Sequence, residues 1–234
     1  MLTAIIVAAG RSRRAGFDKI FIPLAGRPLI QYSLEAFARA PSVKEIVIVC
    51  REDALPALEA LKNDHPKLKT VIAGGVRRQD SVGAGLAVLS AETTMVAVHD
   101  AARPLITPGE IERVHRAAEK NGAAVLARPV TDTLKLVNAR QEIVGSIERA
   151  DAFAMQTPQI FSRQLLTDAL ARIVADGLTM TDEVSAVQHV GGQVSVVPAE
   201  EENAKITFAH DLVLAELIIK ARREGEPSDR PKTG

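Results

Sequence analysis

A cluster of cationic side chains lies in residues 7–19, which read VAAGRSRRAGFDK and directly follow an apolar run. The cations of this loop are Arg11, Arg13, Arg14 and Lys19. Two unit charges about 4 Å apart repel each other by roughly 1 kcal/mol in water and about 4 kcal/mol at an effective dielectric near 20. A bound anion would relieve that repulsion, and Gly10 permits its close approach to the backbone. The loop therefore predicts a phosphate site, with a triphosphate as the natural ligand; the alternative is a solvated basic loop.

Two familiar phosphate-binding loops do not match this stretch. A P-loop has Lys and then Ser or Thr directly after its second glycine, whereas Phe17 and Asp18 follow Gly16. A dinucleotide-binding fingerprint needs glycines at the two positions where Ser12 and Ala15 stand. The pattern therefore argues against a P-loop and against a nicotinamide-dependent enzyme.

A carboxylate and an arginine follow a later apolar run in residues 98–104, VHDAARP. Asp100 falls where that strand is expected to end, and a carboxylate beside a phosphate loop suits Mg²⁺, which prefers one or two carboxylates with water and substrate oxygens. The alternative is a structural ion pair between Asp100 and Arg103. His99 is expected to pack inside the protein, on the opposite face from its strand neighbours. The other four histidines are scattered, with no paired spacing for zinc. No Ser, Cys or His arrangement indicates a covalent nucleophile.

Further polar segments fall at expected strand ends and loops. They are AGGVRRQDSV (73–82), QTPQIF (156–161), TDEVSA (181–186) and NAKIT (203–207). In the first, Gly75 and Ser81 could bind a flat base through hydrogen bonds, or could simply form a turn and a helix cap. Asp182 and Glu183 are typical of a helix cap with acidic first-turn residues. Lys205 stands in an apolar run, where a lone cation usually has a partner.

Composition argues against several functional classes. The 234 residues carry 29 basic and 29 acidic side chains, so the net charge favours neither nucleic acid nor a membrane surface as a partner. Aromatic residues make up 3% and tryptophan is absent, which argues against stacking platforms for single-stranded nucleic acid. No apolar stretch approaches the roughly 18 residues of a membrane span. Cys50 is the single cysteine and the chain opens on a strand without a leader, so a cytoplasmic protein is expected.

Short β-branched runs alternate with amphipathic helical stretches along the chain. The runs predicted as strands are residues 2–9, 45–50, 69–73, 95–99 and 123–130. The predicted helices are residues 28–40, 80–90 and 108–122. This order predicts an α/β, Rossmann-like three-layer fold with a mostly parallel sheet. Ligands of such sheets bind at the carboxyl ends of the strands, so the polar segments should meet at that edge.

One segment breaks this alternation. Residues 131–150 read TDTLKLVNARQEIVGSIERA, in which TLKLV and EIVGSIE flank a polar NARQ, and this pattern is typical of a β-hairpin. A free two-stranded hairpin is marginally stable in water, so we expect this arm to protrude and pack on a second copy of the chain. The alternative is an antiparallel pair at the edge of its own sheet. Residues 1–224 are predicted as one domain carrying the arm, followed by a flexible polar tail at 225–234.

Seven motifs, in this order and spacing, resemble those of one enzyme family. They are AAGRSRRAG followed by Lys19, GGVRRQDSV, VHDAARP, DTLK, TPQIF, TDE and NAKIT. Together they resemble the 2-C-methyl-D-erythritol 4-phosphate cytidylyltransferases of the non-mevalonate isoprenoid pathway, over about residues 2–220. HDAARP with TPQ and TDE is highly specific for this group, whereas the opening loop alone indicates only a nucleotidyltransferase.

The resemblance implies a nucleotidyltransferase fold and a Mg²⁺-dependent transfer of CMP from CTP to a sugar-alcohol phosphate, with release of pyrophosphate. The positions that it assigns to the cytosine and ribose are Ala8, Ala9, Gly10, Gly75 and Ser81. Arg13 would contact the phosphates, and Arg14 and Lys19 would stabilise the transition state. Asp100 would bind Mg²⁺.

The resemblance also implies an acceptor site shared between two subunits. Arg149 and Lys205 would position the attacking phosphate, and Thr133 and Arg149 would come from the arm of the other subunit of a homodimer. The remaining substrate-binding positions are Ala101, Arg103 and Thr157. Because the attacking phosphate oxygen is already anionic, the reaction needs no general base, and catalysis consists mostly of positioning and electrostatics.

The opening loop departs from the pattern of this family at several positions. Ser12 stands where the family usually has a glycine, and Ala15 where it has a methionine. Residues 18–21 read DKIF in place of Pro-Lys-Gln-Tyr, and Asp18 beside Lys19 is expected to temper the lysine's charge. These departures bear on the affinity for CTP more than on the type of reaction.

Two other functions remain open at this point. One is a cytidylyltransferase for another polyol phosphate, such as ribitol 5-phosphate, which would share the nucleotide loops and differ around the arm and the acceptor pocket. The other is a regulatory module that holds CTP without turnover. Loss of Lys19, Asp100 or Lys205 would mark such a module, and all three residues are present.

Overall fold

Apolar strands alternate with helices in the computed structural model, which describes residues 1–10 and 20–225. The strands of the main sheet are β1 (Leu2–Ala8), β4 (Val43–Cys50), β5 (Leu68–Ala73), β6 (Met95–Asp100), β7 (Ala123–Pro129), β10 (Phe153–Ser162) and β11 (Ser195–Pro198). Two short pairs are formed by β2 (Pro23–Leu24) with β3 (Arg27–Pro28), and by β8 (Leu134–Val137) with β9 (Ile143–Ile147). The α-helices are α1 (Leu29–Arg39), α2 (Leu55–Glu59), α3 (Arg78–Ala87), α4 (Pro108–Asn121), α5 (Arg163–Ala175), α6 (Glu183–His189) and α7 (Ala209–Gly225).

The main sheet has the strand order β11-β7-β10-β6-β1-β4-β5. The pairs β1–β4, β1–β6, β4–β5 and β7–β11 are parallel, and β10 runs antiparallel to its neighbours β6 and β7. The prediction of a mostly parallel sheet is confirmed. Strands such as β1 are apolar on both sides because helices cover both faces of the sheet.

Helices lie on both faces and give three layers, as the sequence predicts. On one face α1, α2 and α4 pack on the sheet, and on the other α3, α5 and α6 do so. The apolar side chains that define the predicted face of α1, Ile30, Leu34 and Phe37, are fully buried. Helix α7 closes a third, smaller cluster against Leu24 and Leu105. No helix in the described ranges is both long and apolar enough to span a bilayer.

Helix α4 begins and ends where the sequence indicates. The Thr107 hydroxyl accepts a hydrogen bond from the Glu110 backbone N–H at 3.3 Å, and Pro108 occupies the first helical position. At the other end Gly122 has φ 82° and its N–H donates to the Ala118 carbonyl at 2.7 Å. A left-handed residue of this kind favours glycine, so the Asn121-Gly122 stop is confirmed.

The segment QTPQIF lies inside strand β10, and its assignment to strand ends and loops is wrong. The pairing of β10 with β7 is interrupted, because Met155 faces Ala127 while Gln159 faces Val125. Pro158 falls in this irregular stretch, where the sheet requires no N–H from it. Pro158 therefore interrupts the apolar pattern by which the sequence would otherwise predict β10 as a strand.

Residues 131–150 form the predicted arm. Strands β8 and β9 pair antiparallel with each other and form a sheet of their own, so the alternative of a pair at the edge of the main sheet is wrong. At the tip, the Asn138 side-chain oxygen accepts hydrogen bonds from the backbone N–H groups of Arg140 and Glu142. Apolar side chains of the arm are at least half exposed; they are Leu136, Val137, Ile143 and Val144.

Candidate active site

The polar segments meet at the carboxyl ends of β1, β5 and β6. The Ala101 N–H donates to the Val7 carbonyl at 3.0 Å, which joins the end of β6 to the end of β1. A Cβ at Gly74, just after β5, would lie 2.7 Å from both the Ala9 Cβ and the Ser81 hydroxyl oxygen. Gly74 therefore allows the loops that follow β1 and β5 to close on each other.

The turn after β5 is held by Ser81. Its hydroxyl accepts a hydrogen bond from the Gly75 N–H at 3.1 Å, and the side chain is buried. This bond supports the turn-and-cap interpretation of Ser81, and its predicted contact with cytidine stays a prediction. Gly10 differs from Gly75, because a Cβ at Gly10 would meet no atom of residues 1–10 and 20–225 within 4 Å, whereas one at Gly75 would clash with Asp80.

Asp100 is the centre of a group of charges at this edge. Its Oδ1 lies 2.5 Å from Nη1 of Arg78, and its Oδ2 lies 2.6 Å from Nζ of Lys205. Arg103 is more distant, with its Nε 3.9 Å from Oδ2. The expected partner of Lys205 is thus found, and the Asp100–Arg103 ion pair is also present, although Arg78 and Lys205 lie closer to the carboxylate.

The charge of Asp100 is fixed by these partners. Burial by itself would raise the pKa of this carboxyl group, but Arg78 and Lys205 outweigh it and lower the pKa below the usual range. Burial likewise acts to lower the pKa of Arg78, and the carboxylates of Glu183 and Asp100 reverse that and raise it. Both side chains are therefore ionised at neutral pH.

Arg78 and Glu183 belong to the site but were not predicted as site residues. The guanidinium donates from Nε to Oε1 of Glu183 at 2.9 Å and from Nη2 to Oε2 at 2.8 Å. Asp182 caps α6 as predicted, because its carboxylate accepts the Ser185 N–H at 3.1 Å. Glu183 instead turns inward and is 2% exposed. Local sequence carries no signal for this pair, since its members are 105 residues apart.

His99 packs in the core, as predicted, and supports Asp100 through Thr157. Its Nε2 lies 3.2 Å from the Arg103 carbonyl oxygen, which can only accept, so Nε2 carries the proton. Nδ1, at 3.0 Å, then accepts from the Thr157 hydroxyl, whose oxygen accepts the Asp100 N–H at 3.1 Å. Burial lowers the pKa of His99 to about 3, so the imidazole is neutral. Thr157 is buried with its hydroxyl engaged, and its predicted substrate contact stays a prediction.

The NAKIT segment is tied across the mouth of the site. Nη1 of Arg103 donates to the Asn203 carbonyl at 2.9 Å, and the Asn203 side-chain amide donates to the Thr157 carbonyl at 2.9 Å. The Ile206 N–H donates to the Ala102 carbonyl at 2.8 Å. These bonds lie on either side of Lys205 in the chain and hold it over Asp100.

The structure brings together most of the predicted site residues that it describes. The residues gathered around the ends of β1, β5 and β6 are Ala8, Ala9, Gly10, Gly75, Ser81, Asp100, Ala101, Arg103, Thr157 and Lys205. Thr133 and Arg149 stand apart at the base of the arm, where Nη1 of Arg149 donates to the Thr131 carbonyl at 2.9 Å. Arg13, Arg14 and Lys19 lie outside the described residues, as does most of the predicted tail, residues 226–234.

The donor set of the site fits Mg²⁺ only together with a substrate. Among residues 1–10 and 20–225, no group of three or more His, Cys, Asp or Glu side chains could hold a metal ion. Asp100 offers one carboxylate, and each of its oxygens retains acceptor capacity beyond the cation that it already contacts. One carboxylate completed by phosphate oxygens and water is an ordinary set of Mg²⁺ ligands.

Comparisons with known proteins agree with this geometry. A family model described as 2-C-methyl-D-erythritol 4-phosphate cytidylyltransferase matches residues 2–221. A protein of that name from Symbiobacterium thermophilum is 39% identical over 221 residues, which are 94% of this chain and 93% of the relative. The crystal structure of the Thermus thermophilus protein of that name aligns with a TM-score of 0.76 and 32% identity, covering 93% of this chain and 98% of that one.

A second solved structure agrees still better in shape. It is the 4-diphosphocytidyl-2C-methyl-D-erythritol synthase of Anaerococcus prevotii, with a TM-score of 0.85, 25% identity, and coverage of 94% of this chain and 98% of that one. The predicted α/β fold with its mostly parallel sheet and hairpin is confirmed by these alignments. The chain belongs to the 2-C-methyl-D-erythritol 4-phosphate cytidylyltransferase family.

Proposed function

We propose that this chain transfers CMP from CTP to 2-C-methyl-D-erythritol 4-phosphate and releases pyrophosphate. The observation that carries the proposal is the carboxylate of Asp100, held between Arg78 and Lys205 at the carboxyl edge of the sheet in a member of this family. Such an edge is where open α/β sheets bind their ligands. The cations beside Asp100 suit two phosphorylated substrates better than a neutral one.

The nucleotide occupies the side of the site formed by the loops after β1 and β5. We assign the cytosine and ribose to Ala8, Ala9, Gly10, Gly75 and Ser81, and the triphosphate to Arg13 and its neighbours. In support, no atom of the described part of the chain lies within 4 Å of the place where a Cβ at Gly10 would stand. The tight Gly74 contact keeps the two loops at a fixed separation, which is what recognition of a flat base requires.

The transfer itself needs no nucleophilic side chain. An anionic oxygen of the acceptor phosphate attacks the α-phosphorus of CTP, a new P–O bond forms, and the bond to the β-phosphate oxygen breaks with its electron pair leaving on pyrophosphate. Negative charge increases on the leaving pyrophosphate and is spread over the oxygens of the transferred phosphoryl group. Arg14 and Lys19 are assigned to stabilise that charge, and the catalysis rests on positioning and electrostatics.

Lys205 is assigned to the acceptor phosphate. It uses one contact on Asp100 and its side chain is 46% exposed, so further N–H donors of the ammonium face the mouth of the site. Arg103 lies behind it, and burial lowers the pKa of Arg103 although Asp100 opposes this. A phosphate brought to Lys205 therefore meets an exposed ammonium, with the Arg103 guanidinium close to the same carboxylate.

Asp100 is the residue that would hold Mg²⁺. Its low pKa keeps the carboxylate ionised, and phosphate oxygens would complete the coordination. When bound there, Mg²⁺ would neutralise part of the charge on the triphosphate. Asp100 itself holds its position through its backbone bond to Thr157 and its contact with Arg78.

The arm is assigned to a homodimer. Ile143 is 68% exposed and Val144 is 63% exposed, and a hairpin with such a surface is not expected to persist alone in water. A second copy of the chain is the proposed cover, and Thr133 and Arg149 would then act at the other subunit's site. The exposed position of both residues at the base of the arm supports this assignment.

The domain and compartment predictions belong to the same proposal. Residues 1–224 act as one catalytic domain, since α7 packs back on Leu24 and Leu105 beside the sheet. Cys50 is buried and free, in keeping with a cytoplasmic protein.

An assay of pyrophosphate release tests the proposed reaction. The protein is incubated with CTP and either 2-C-methyl-D-erythritol 4-phosphate or ribitol 5-phosphate, with and without Mg²⁺. We expect release with the first acceptor and Mg²⁺ only. Release with ribitol 5-phosphate would assign the chain to another acceptor, and CTP binding without release would make it a nucleotide-binding module.

A further inference from the structure

We propose that Glu183 and Arg78 are positioning residues that fix the carboxylate of Asp100, and that Arg78 does not bind the phosphates of the nucleotide. The inference rests on the proposed cytidylyl transfer and extends it to two residues outside the assigned catalytic set. An arginine beside a triphosphate site is ordinarily expected to bind phosphate. The contacts of Arg78 argue for a different role.

The guanidinium of Arg78 is committed to two carboxylates. Nε and Nη2 face the two oxygens of Glu183 at 2.9 and 2.8 Å, and Nη1 faces Oδ1 of Asp100 at 2.5 Å. A paired arrangement of this kind is the strongest hydrogen-bonding geometry that arginine makes with a carboxylate. Moving Arg78 to a phosphate would break it and leave Glu183 buried without its counter-charge.

Glu183 is itself held by the side chain of Gln159 on β10. It is 2% exposed, and its backbone N–H donates to Oε1 of Gln159 at 3.2 Å, as does the N–H of Val184 at 3.1 Å. The Gln159 amide in turn donates to Oδ2 of Asp182 at 3.2 Å. A continuous chain of contacts therefore runs from β10 through Glu183 and Arg78 to Asp100 on β6.

The two oxygens of Asp100 are held differently. Oδ1 contacts Arg78, whose side chain is 21% exposed and anchored, whereas Oδ2 contacts Lys205, whose side chain is 46% exposed. A ligand can displace the exposed lysine but not the anchored arginine. Arg78 thus orients the carboxylate so that Oδ2 is the oxygen available to a cation carried in with the nucleotide.

Charge balance supports the same role for Glu183. Arg78 is shared between two carboxylates, with Nη2 2.8 Å from Oε2 of Glu183 and Nη1 2.5 Å from Oδ1 of Asp100. Without the Glu183 charge, Arg78 would lose one of its two carboxylates and pull harder on Asp100. The Asp100 carboxylate would then compete less well for a second cation.

Glu183→Gln and Arg78→Lys test the inference. Each keeps the approximate size of the side chain while removing the charge or the paired geometry. We expect kcat to fall at least about tenfold in both variants, the scale of a small misplacement of a catalytic group, with the KM for CTP within about threefold of wild type. The Mg²⁺ concentration for half-maximal activity should rise several-fold.

Calorimetric binding of CTP gives a readout independent of turnover. In the wild type, Mg²⁺ should tighten CTP binding. In both variants this gain in affinity should be lost. The affinity for CTP without Mg²⁺ should change by less than about threefold in both variants. A tenfold loss of Mg²⁺-free CTP affinity in Arg78→Lys would overturn the inference and make Arg78 a phosphate ligand. Absence of turnover in the wild type with the Mg²⁺ gain intact would contradict the proposed reaction and leave the positioning role standing.

Glu110→Gln is the matched control. Glu110 also lies in the first turn of a helix, is 3% exposed, and pairs with an arginine, with its Oε2 2.6 Å from Nη1 of Arg113. We expect this variant to lose thermal stability without a change in kcat or in the effect of Mg²⁺. If Glu183→Gln shows the same result, its role is structural only and the inference is wrong. If Glu183→Gln does not fold, Arg78→Lys decides by the same two measurements.

Discussion

The ammonium of Lys205 lies 2.6 Å from the carboxylate of Asp100, although 105 residues separate the two along the chain. Asp100 ends a central strand, and Lys205 stands in a segment that crosses back over the sheet through Arg103 and Asn203. The contact joins the part of the site assigned to the nucleotide with the part assigned to the acceptor. A substitution at either residue should therefore change the kinetic constants for both substrates, to different degrees.

Lys205→Ala should reduce kcat/KM for the acceptor phosphate by at least about a hundredfold, because a charge-assisted contact is lost where negative charge must be held. The KM for CTP should change less. Steady-state kinetics with each substrate varied in turn measures the difference. Lys220→Ala removes an exposed lysine on α7 and should leave both constants unchanged. Equal losses for CTP and acceptor would place Lys205 with the nucleotide instead.

Lys19→Ala and Arg14→Ala should each lower turnover by at least about a hundredfold with the fold intact, the scale of removing one donor to the transition state. Both residues lie in the opening loop, outside the described residues. Single-turnover kinetics with saturating CTP isolates the chemical step, and circular dichroism checks the fold. Arg140→Ala, at the exposed tip of the arm, serves as a control for loss of a surface cation. Near-normal turnover in either variant removes that residue from the mechanism.

Two inactive variants should complement each other if the arm reaches the second subunit. Arg149→Ala and Lys205→Ala are each expected to be inactive as pure proteins. Mixed after dissociation and reassociation, they should recover about a quarter of wild-type activity, because half of the dimers are mixed and each mixed dimer contains one intact site.

Ile143→Asp provides the companion measurement for the arm. A charge on this exposed apolar strand should disfavour the dimer, so sedimentation should show monomers and turnover should fall. An Ile143→Asp protein that stays dimeric, together with no recovery in the mixing experiment, would contradict the shared site.

Stability should depend on pH through His99. Burial gives this imidazole a folded pKa of about 3, against an unfolded value of about 6.5, so the unfolded chain binds more protons between these values. The free energy of unfolding should therefore fall as the pH drops through 6.5, by about 2 kcal/mol between pH 7 and pH 5.

His99→Gln separates this effect from the rest of the protein. The amide can still donate to the Arg103 carbonyl but does not titrate, so the variant should be less stable at pH 7 and show a smaller loss towards pH 5. Urea denaturation at both pH values measures the two differences. An identical pH dependence in variant and wild type would show that another group is responsible.

Sequence patterns recovered the elements whose signals are local. The apolar runs that became β1, β4 and β6 are continuous because both faces are covered, and the end of α4 at Gly122 needs only two adjacent residues to be recognised. Asp100 and Lys205 were also predicted as site residues, because each is a charged residue in or directly after an apolar run.

Long-range relationships could not be predicted in the same way. Strand β10 inserts antiparallel between β6 and β7, and its Pro158 interrupts the strand pattern. The Arg78–Glu183 pair joins segments 105 residues apart, and nothing in AGGVRRQDSV distinguishes Arg78 from Arg77, which pairs locally with Asp80. Arg78 is the more buried of the two arginines and the one that reaches Asp100, and its burial depends on the assembled fold.

The arm leaves the main sheet at Pro129 and returns at Phe153, and these two residues face each other on neighbouring antiparallel strands. The entropic cost of closing such an excursion grows only slowly with its length, by about 0.6 kcal/mol for each doubling. The arm forms a sheet of its own, so its length or sequence can change without repacking the main sheet and its helices. The acceptor and dimer contacts that we propose for the arm could therefore change without altering the loops after β1 and β5.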